Sequence, residues 1–365
     1  MGSIAEQSSG SKAPAETVIK EILDEIAVPK DVLQEAKKRR NLVLEIAGKH
    51  PAGRMGFSSG SVAHGTENKP LEDADCGEMI DRRSEEFRAY GPDASGVGKG
   101  PSAFVETFRT FLETEIRRAY PNATATTRGQ KRSIKIEFSE RIDFDEWGEV
   151  DPYVDFIVGL SMVERSGIWI PNLEIDSWDP GDPMLHTSLM TERDPRDLRI
   201  FRARVLRLAK RAVKRDAANG GIAIMCSWNL SALALETLDE TTSLSGGLEE
   251  FFTYAAEQIS DHLTEDPSDA ISNPIKLPQG VTQERASARL AEMAAAVARA
   301  NQAYSPQAAR NELEAIFGPE IKEMNERAAS RMKSALGRDS AAGVAAGIGS
   351  AYPQTGSSWS DGTLR

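Results

Sequence analysis

The apolar residues change period once along the chain, and that switch limits the fold more than any other feature of the sequence. Up to about Glu192, short β-branched and aromatic runs are mixed with helical stretches. Ser133-Ile134-Lys135-Ile136-Glu137-Phe138 alternates with period two, while 153–160 and 168–170 are compact strand-like runs, with a helix expected over 103–119. Beyond Glu192 the strand signals stop, and amphipathic segments follow at 195–216, 228–238, 247–264, 282–303 and 306–336. This order predicts an α+β lobe followed by a helical lobe. Ahead of both, residues 17–49 carry Val18, Ile22, Ile26, Leu42 and Ile46 at helical spacing. The pattern is broken by Pro29 and restarts at Asp31, read as an N-cap with Gln34 three residues on. No repeat with a period of 20–50 residues is evident.

A length of 365 residues is ample for a large two-lobed protein with a buried core. The expected organisation is a disordered N-terminus over 1–16, a core with its N-terminal helices over 17–192, a helical lobe over 193–337, and a disordered Gly/Ala/Ser-rich tail over 338–365. No apolar run reaches the roughly 18 residues of a membrane span, and no apolar signal segment opens the chain, so a cytoplasmic location is expected. Two cysteines, Cys76 and Cys226, with four scattered histidines, do not make a disulfide framework or a zinc ribbon, and both cysteines read as small core residues. The formal net charge of −12 argues against broad binding to long nucleic acids, which relies on a basic field. Basic clusters at 37–40, 128–135 and 193–215 still leave room for a small anionic substrate.

Chemistry concentrates in Gly60-Ser61-Val62-Ala63-His64-Gly65-Thr66 and Asp73-Ala74-Asp75-Cys76. Two aspartates separated by one small residue on a strand point to the same face, a geometry that holds hard cations together with phosphate oxygens. The Gly60-Ser61 pair can cradle a phosphate, since glycine lets it approach the backbone amides and the serine hydroxyl adds a donor. An Asp-x-Asp alone also describes a solvated turn. Here eleven residues separate it from Gly60-Ser61, and a third acid, Asp155, lies inside the apolar run Val154-Asp155-Phe156-Ile157-Val158, where burial is costly without a cation. Asp151 competes for that third place, but it precedes Pro152 and reads as a turn residue.

The combination of Gly-Ser, acid-x-acid and a later lone acid between apolar residues resembles the signature of the polymerase-β nucleotidyltransferase superfamily. Gly60-Ser61-x-x-x-Gly65-Thr66, Ile170-Pro171-Asn172, Trp178 and Asp182-Pro183-x-x-His186 resemble the bacterial cGAS/DncV-like nucleotidyltransferases (CD-NTases) over residues 35–280 or so. The resemblance implies an α+β, bilobal polymerase-β-type core, a mixed sheet flanked by helices, with a helical C-terminal lobe. It implies a nucleotidyltransferase that makes cyclic di- or trinucleotide signals in antiphage (CBASS-type) defence. Asp73, Asp75 and Asp155 would be the catalytic metal ligands for two Mg²⁺ ions, with Mn²⁺ able to substitute. One metal would lower the pKa of the attacking hydroxyl and the other would bridge the triphosphate.

Further positions follow from that likeness. Gly60, Ser61, Thr66 and Asn172 fall in its nucleotide-binding motifs, and Lys210 and Ser227 match residues that bind triphosphate. Trp228 matches a base-stacking aromatic, though it reads equally well as core. Arg199 shares Lys210's azimuth on the 195–216 helix and is a further candidate, while Lys214, further round, serves as a surface reference. His64 stands where an Arg is common and is expected to pack or to bond a loop carbonyl. Asp155 is followed by Phe156-Ile157-Val158-Gly159 rather than Val-Val-Pro. The implied partners are nucleoside triphosphates, ATP or GTP, and an operon-encoded regulator or an effector that acts through the product. No membrane and no long nucleic acid is expected. The alternative keeps the site and changes the acceptor, giving linear oligonucleotides or modified RNA or protein.

Overall fold

The computed structural model describes residues 13–83, 87, 89–92, 100–143, 148–218, 221–271 and 273–342. Its strands are β1 (Met55–Ser59), β2 (Asp73–Ile80), β3 (Thr124–Thr126), β4 (Ile134–Glu137), β5 (Ile142–Asp143), β6 (Glu149–Val150), β7 (Tyr153–Ser161), β8 (Ile168–Asn172) and β9 (Ser177–Gly181). Its helices are α1 (Pro14–Glu25), α2 (Lys30–Ala47), α3 (Gly60–His64), α4 (Pro101–Ile116), α5 (Pro183–Thr191), α6 (Arg196–Ala218), α7 (Ser227–Thr237), α8 (Leu244–Asp261), α9 (Gln283–Asn301) and α10 (Pro306–Ala342).

Strand β7 organises the sheet, whose order is β1-β2-β7-β4-β3, with β8 added to β7 and β9 to β8. Among the described residues only β2 and β7 run parallel; β5 and β6 form a separate hairpin. Successive side chains on a strand face opposite sides, so Val154, Phe156, Val158 and Leu160 share a face with Cys76, Ile134 and Ile136. That face packs on Phe104, Phe108, Leu112 and Ile116 of α4 and on Val43 and Ile46 of α2. The same alternation sends Asp73, Asp75 and Asp155 to the other side. The sheet thus has an apolar face under α2 and α4, while the acids lie on the opposite face, where Ile157 also packs with Phe57, Ile168, Ile170 and Met184 of α5. This is the mixed sheet flanked by helices that the sequence predicts.

After β9 the described chain is entirely helical, in agreement with the switch of period. Residues through Ile321 fall in one compact unit and Lys322 onward in a second. Helix α1 starts at Pro14, earlier than expected, and packs on α6, α8 and α9 rather than with the core helices. Its Glu16 accepts a hydrogen bond from the Ser245 amide at 3.0 Å. The expected tails at 1–16 and 338–365 otherwise lie outside the described residues, apart from the last turn of α10. That helix is interrupted at Phe317 (φ −124°, ψ 32°), because Pro319 lacks the amide an unbroken helix would use. In α2 the residue before the first turn is Pro29, and no side chain caps it. Asp31 sits within the first turn instead, where a negative charge still favours the helix N-terminus. No helix among the described residues is long and apolar enough to cross a membrane.

One buried cation fixes the entry to β7. Arg39 of α2 is 0% exposed. Its guanidinium donates to Glu35 at 3.0 Å, to Pro152 O at 2.8 Å, to Glu140 O at 2.6 Å and to the Asp151 carboxylate, and it lies 4.8 Å from the Phe138 ring centroid. Asp151 is thereby committed to Arg39, which removes it as a rival for the third acidic position. Arg39→Ala is expected to cost about 3–5 kcal/mol of unfolding free energy, since it strands buried carbonyls and a carboxylate without their donor. Asp151→Asn, at a partly exposed position, should cost far less. Urea denaturation of the two variants checks the ranking.

Candidate functional site

In-register parallel pairing sets Asp75 of β2 directly beside Asp155 of β7, with Asp73 one pleat away beside Tyr153. The three carboxylates each bring an oxygen within 4.8 Å of the others. Antiparallel β1 brings Ser59 opposite Asp75, and the chain then turns straight into α3. Gly60 makes that turn with φ of 70°, and a Cβ there would fall 1.7 Å from Asp75 Oδ2. No other residue fits both the backbone and the carboxylate. The Ser133 hydroxyl, just before β4, donates to Asp155 Oδ1 at 3.2 Å.

Burial is the main reason these acids are unusual. It pushes Asp75 up to about 7, with Asp73 and Asp155 adding repulsion. Asp155 is pushed up to about 6, by burial first and Asp73 second. Asp73 is raised as well, mainly by burial, with Lys214 opposing. Three desolvated carboxylates at this separation fit a divalent metal held by oxygen ligands with open positions for phosphate. The donor set is hard oxygen throughout, as magnesium or manganese requires.

Beside the triad lies a cavity of about 520 Å³, within the range that holds a nucleotide-sized ligand. Gly60, Ser61, Thr66, Asp73, Asp75, Lys210, Ser227 and Trp228 all line it, as the sequence predicts for a single site. Asp155 stands at the triad without lining the cavity. Lys210 of α6 is 6% exposed and donates to Thr66 Oγ1 at 2.7 Å. Burial, then Lys214, lowers its ammonium to about 8. Lys214 also lines the cavity, so it is no surface reference; one helical turn from Lys210, it shares the same face.

Two expected nucleotide contacts lie elsewhere. Arg199 is eleven residues before Lys210, and a shared azimuth does not remove the roughly 16 Å of helical rise between them. Asn172, the buried last residue of β8, does not line the cavity and donates from Nδ2 to Asp179 Oδ2 at 3.1 Å. Among the other cavity residues are Arg132 and His186 of the Asp182-Pro183-x-x-His186 motif, to neither of which the sequence assigns a role. Arg132 belongs to the basic cluster at 128–135, but its neighbour Asp179 is distant in the chain. His186 follows a helix start in which Asp182 caps α5 through the Leu185 amide at 2.9 Å and Pro183 opens the first turn.

His64 packs, as one of its two expected roles has it, with its ring edge-on to His186 at 5.2 Å between centroids. Its Nε2 lies 3.0 Å from Thr187 Oγ1 of α5, and the Thr187 hydroxyl in turn reaches Ser58 O at 3.4 Å. Burial, then His186 and Lys210, pushes its imidazole down to about 3, so it is neutral and unsuited to act as a base. Cys76 is a core residue, whereas Cys226 is exposed. It caps α7 with Asn229, whose Oδ1 accepts from Cys226 Sγ at 2.8 Å, and so sets Ser227 and Trp228 at the helix start.

The carboxylates give a pH dependence with a definite sign. Their folded-state pKa values are raised, so their contribution to stability is present below about pH 4 and is lost as pH rises through 6 to 7. A bound divalent cation offsets that loss only where the acids are ionised. Mn²⁺ affinity should therefore fall roughly tenfold between pH 7 and pH 6, and the metal-induced rise in melting temperature should be larger at pH 8 than at pH 6. Calorimetry with and without Mn²⁺ at these pH values checks both; a pH-independent affinity would contradict the raised carboxylates.

No family model matches the sequence. No curated protein matches it either. Solved structures do. A Bradyrhizobium diazoefficiens CD-NTase, CdnG, in complex with GTP is similar over 87% of this chain and 99% of its own, with a TM-score of 0.64 at 17% identity. Escherichia coli MS115-1 CdnC with ATP is similar over 84% and 98%, with a TM-score of 0.55 at 19% identity. Escherichia coli DncV bound to 3′-deoxy GTP is similar over 84% and 87%, with a TM-score of 0.51 at 13% identity. The chain has a CD-NTase-like fold.

Proposed function

We propose that this protein is a metal-dependent nucleotidyltransferase that joins nucleoside triphosphates into a cyclic di- or trinucleotide for antiphage (CBASS-type) signalling. The observation that carries this reading is the convergence of Asp73, Asp75 and Asp155 beside a cavity that Lys210 and Lys214 also line. Such a site holds negative phosphates next to a cluster of acids, which makes sense only with a cation between them. The likeness to folds solved with GTP or ATP supports triphosphate substrates.

Gly60 and Ser61 would present amides and a hydroxyl to the triphosphate, while Lys210 and Ser227 would neutralise and orient it. Trp228 offers a ring face at the cavity for a base. The neutral His64 ties α3 to α5 and keeps that wall in place. Bound Mg²⁺ or Mn²⁺ would supply charge neutralisation for the phosphates and acidify the attacking hydroxyl. Asp73, Asp75 and Asp155 would hold that cation beside the cavity.

Asp73→Asn, Asp75→Asn and Asp155→Asn should each abolish pyrophosphate release while leaving the fold intact by circular dichroism. More than a few per cent of wild-type activity in Asp155→Asn would remove it from the triad. Lys210→Ala and Ser227→Ala should weaken triphosphate binding by roughly ten- to a hundredfold, as expected for loss of a charge-assisted contact. Arg204, exposed on α6 and outside the cavity, is the reference. An equal loss at Arg204→Ala would point to general electrostatics instead.

Incubation of the pure protein with labelled triphosphates and Mg²⁺ or Mn²⁺ identifies the product. A cyclic product resists phosphatase, and its mass equals two or three nucleoside monophosphates less one water each. A ladder carrying 5′-triphosphates would favour a linear-oligonucleotide synthase. Label on RNA or protein would favour a modifying transferase.

A further inference from the structure

The cavity receives a cation from the sheet side that the triphosphate contacts above do not use. Arg132 lines it, one residue before Ser133, whose hydroxyl holds Asp155. The Arg132 guanidinium donates from Nη2 to Asp179 Oδ2 at 2.9 Å, and Asn172 Nδ2 donates to the same oxygen at 3.1 Å. The Lys131 carbonyl next door accepts from the Leu173 amide at 2.8 Å, and Lys131 pairs with Glu174 at 3.0 Å. The loop before β4 is thus tied to the β8–β9 hairpin through Lys131 and Arg132 and to β7 through Ser133.

That lacing contributes little to stability. The Arg132 and Asp179 side chains are 41% and 30% exposed, and ion pairs this open contribute about 0–1 kcal/mol. What it does is hold a planar fork in one orientation, with the buried Nε free of any protein partner. A guanidinium pinned through one nitrogen, with donors unspent at a cavity, is suited to a phosphate, which it can meet with two parallel bonds. Lys210 and Lys214 enter from α6; Arg132 enters from a different element, on the Asp155 side.

We infer that Arg132 binds a phosphate of the accepting nucleotide, with Asp179 and Asn172 as positioning residues that fix its orientation. The inference rests on the nucleotidyl-transfer reading, since joining two nucleotides in one cavity requires a second set of phosphates to be neutralised. Holding the fork in place beforehand lowers the ordering cost when the second nucleotide arrives.

The test pairs binding with kinetics on the full-length protein. Non-hydrolysable analogues of ATP and GTP are titrated calorimetrically in the presence of Mn²⁺, and pyrophosphate release is measured against triphosphate concentration. Wild type should bind two analogue molecules. Arg132→Ala should weaken the second by roughly ten- to a hundredfold, leave the first unchanged, and raise KM with kcat largely kept. Arg132→Lys should recover only part, because the ammonium lacks the fork. Asp179→Asn should have a smaller effect that disappears in the Arg132→Ala background, as expected for a residue acting through another. Melting temperatures should stay near wild type; if Arg132→Ala fails to fold, Arg132→Lys and Asp179→Asn carry the comparison. Equal weakening of both analogues, no change, or an Asp179→Asn effect that persists without Arg132 would overturn the inference. Pyrophosphate release by wild type separates the two readings: its absence sinks nucleotidyl transfer itself, whereas active wild type with an inert Arg132 sinks only this assignment.

Discussion

The parallel pairing of β2 with β7 is the constraint on which the rest of the structure depends. Its register sets Asp75 beside Asp155, and the pleat sends both to the face opposite α2 and α4. A slip of one residue would place Asp155 among Phe108 and Ile134 and turn Phe156 toward the cavity. The apolar alternation of both strands forbids that slip, so burial on one face enforces crowding of like charge on the other. Burial first, and repulsion from the neighbouring acids second, raises the pKa of Asp75 and of Asp155. Arg39 contributes from outside the site, by holding the carbonyls and the carboxylate that lead into β7.

Residues whose role follows from local spacing were legible in the sequence. Asp73-x-Asp75 and Gly60-Ser61 declare themselves by type and separation, and Asp155 by being an acid in an apolar run. Lys210, Ser227 and Trp228 needed the family likeness, and they line the cavity. Spacing along one element does not fix position in space. Arg199 shares Lys210's direction but not its height on α6, while Lys214, set aside as surface, is one turn away and faces the same cavity. Cys226 reads as core by residue type, yet its place as an exposed helix cap depends on Asn229 and on where α7 begins.

Features that depend on distant pairing were not legible at all. Arg132 and Asp179 are linked only because β9 folds back beside β8 and the loop before β4 runs under that hairpin. Similarly, α1 precedes the core helix α2 in the chain but packs on α6, α8 and α9, which no local pattern announces. The segment from 177 to 191 carries Pro180 and Pro183, and short elements punctuated by proline give little periodic signal. Its helix α5 nevertheless brings His186 to the cavity and Thr187 to His64.

Net charge and site charge point in opposite directions here, and the difference is informative. A formal charge of −12 repels a polyanion at long range, but beyond a Debye length of about 8 Å that field is largely screened. Inside the cavity the balance is local. The buried ammonium of Lys210, with Lys214 and Arg132 at the same cavity, acts at contact distance in a poorly solvated space, where a single charge weighs far more than on the surface. The same space is lined by Glu67, Glu72, Asp73, Asp75 and Asp182, so the three cations answer local acids rather than the net charge of the chain. Under the proposed reading, a nucleotide small enough to enter the cavity would meet those cations at contact distance, and distant surface charge would weigh little against them.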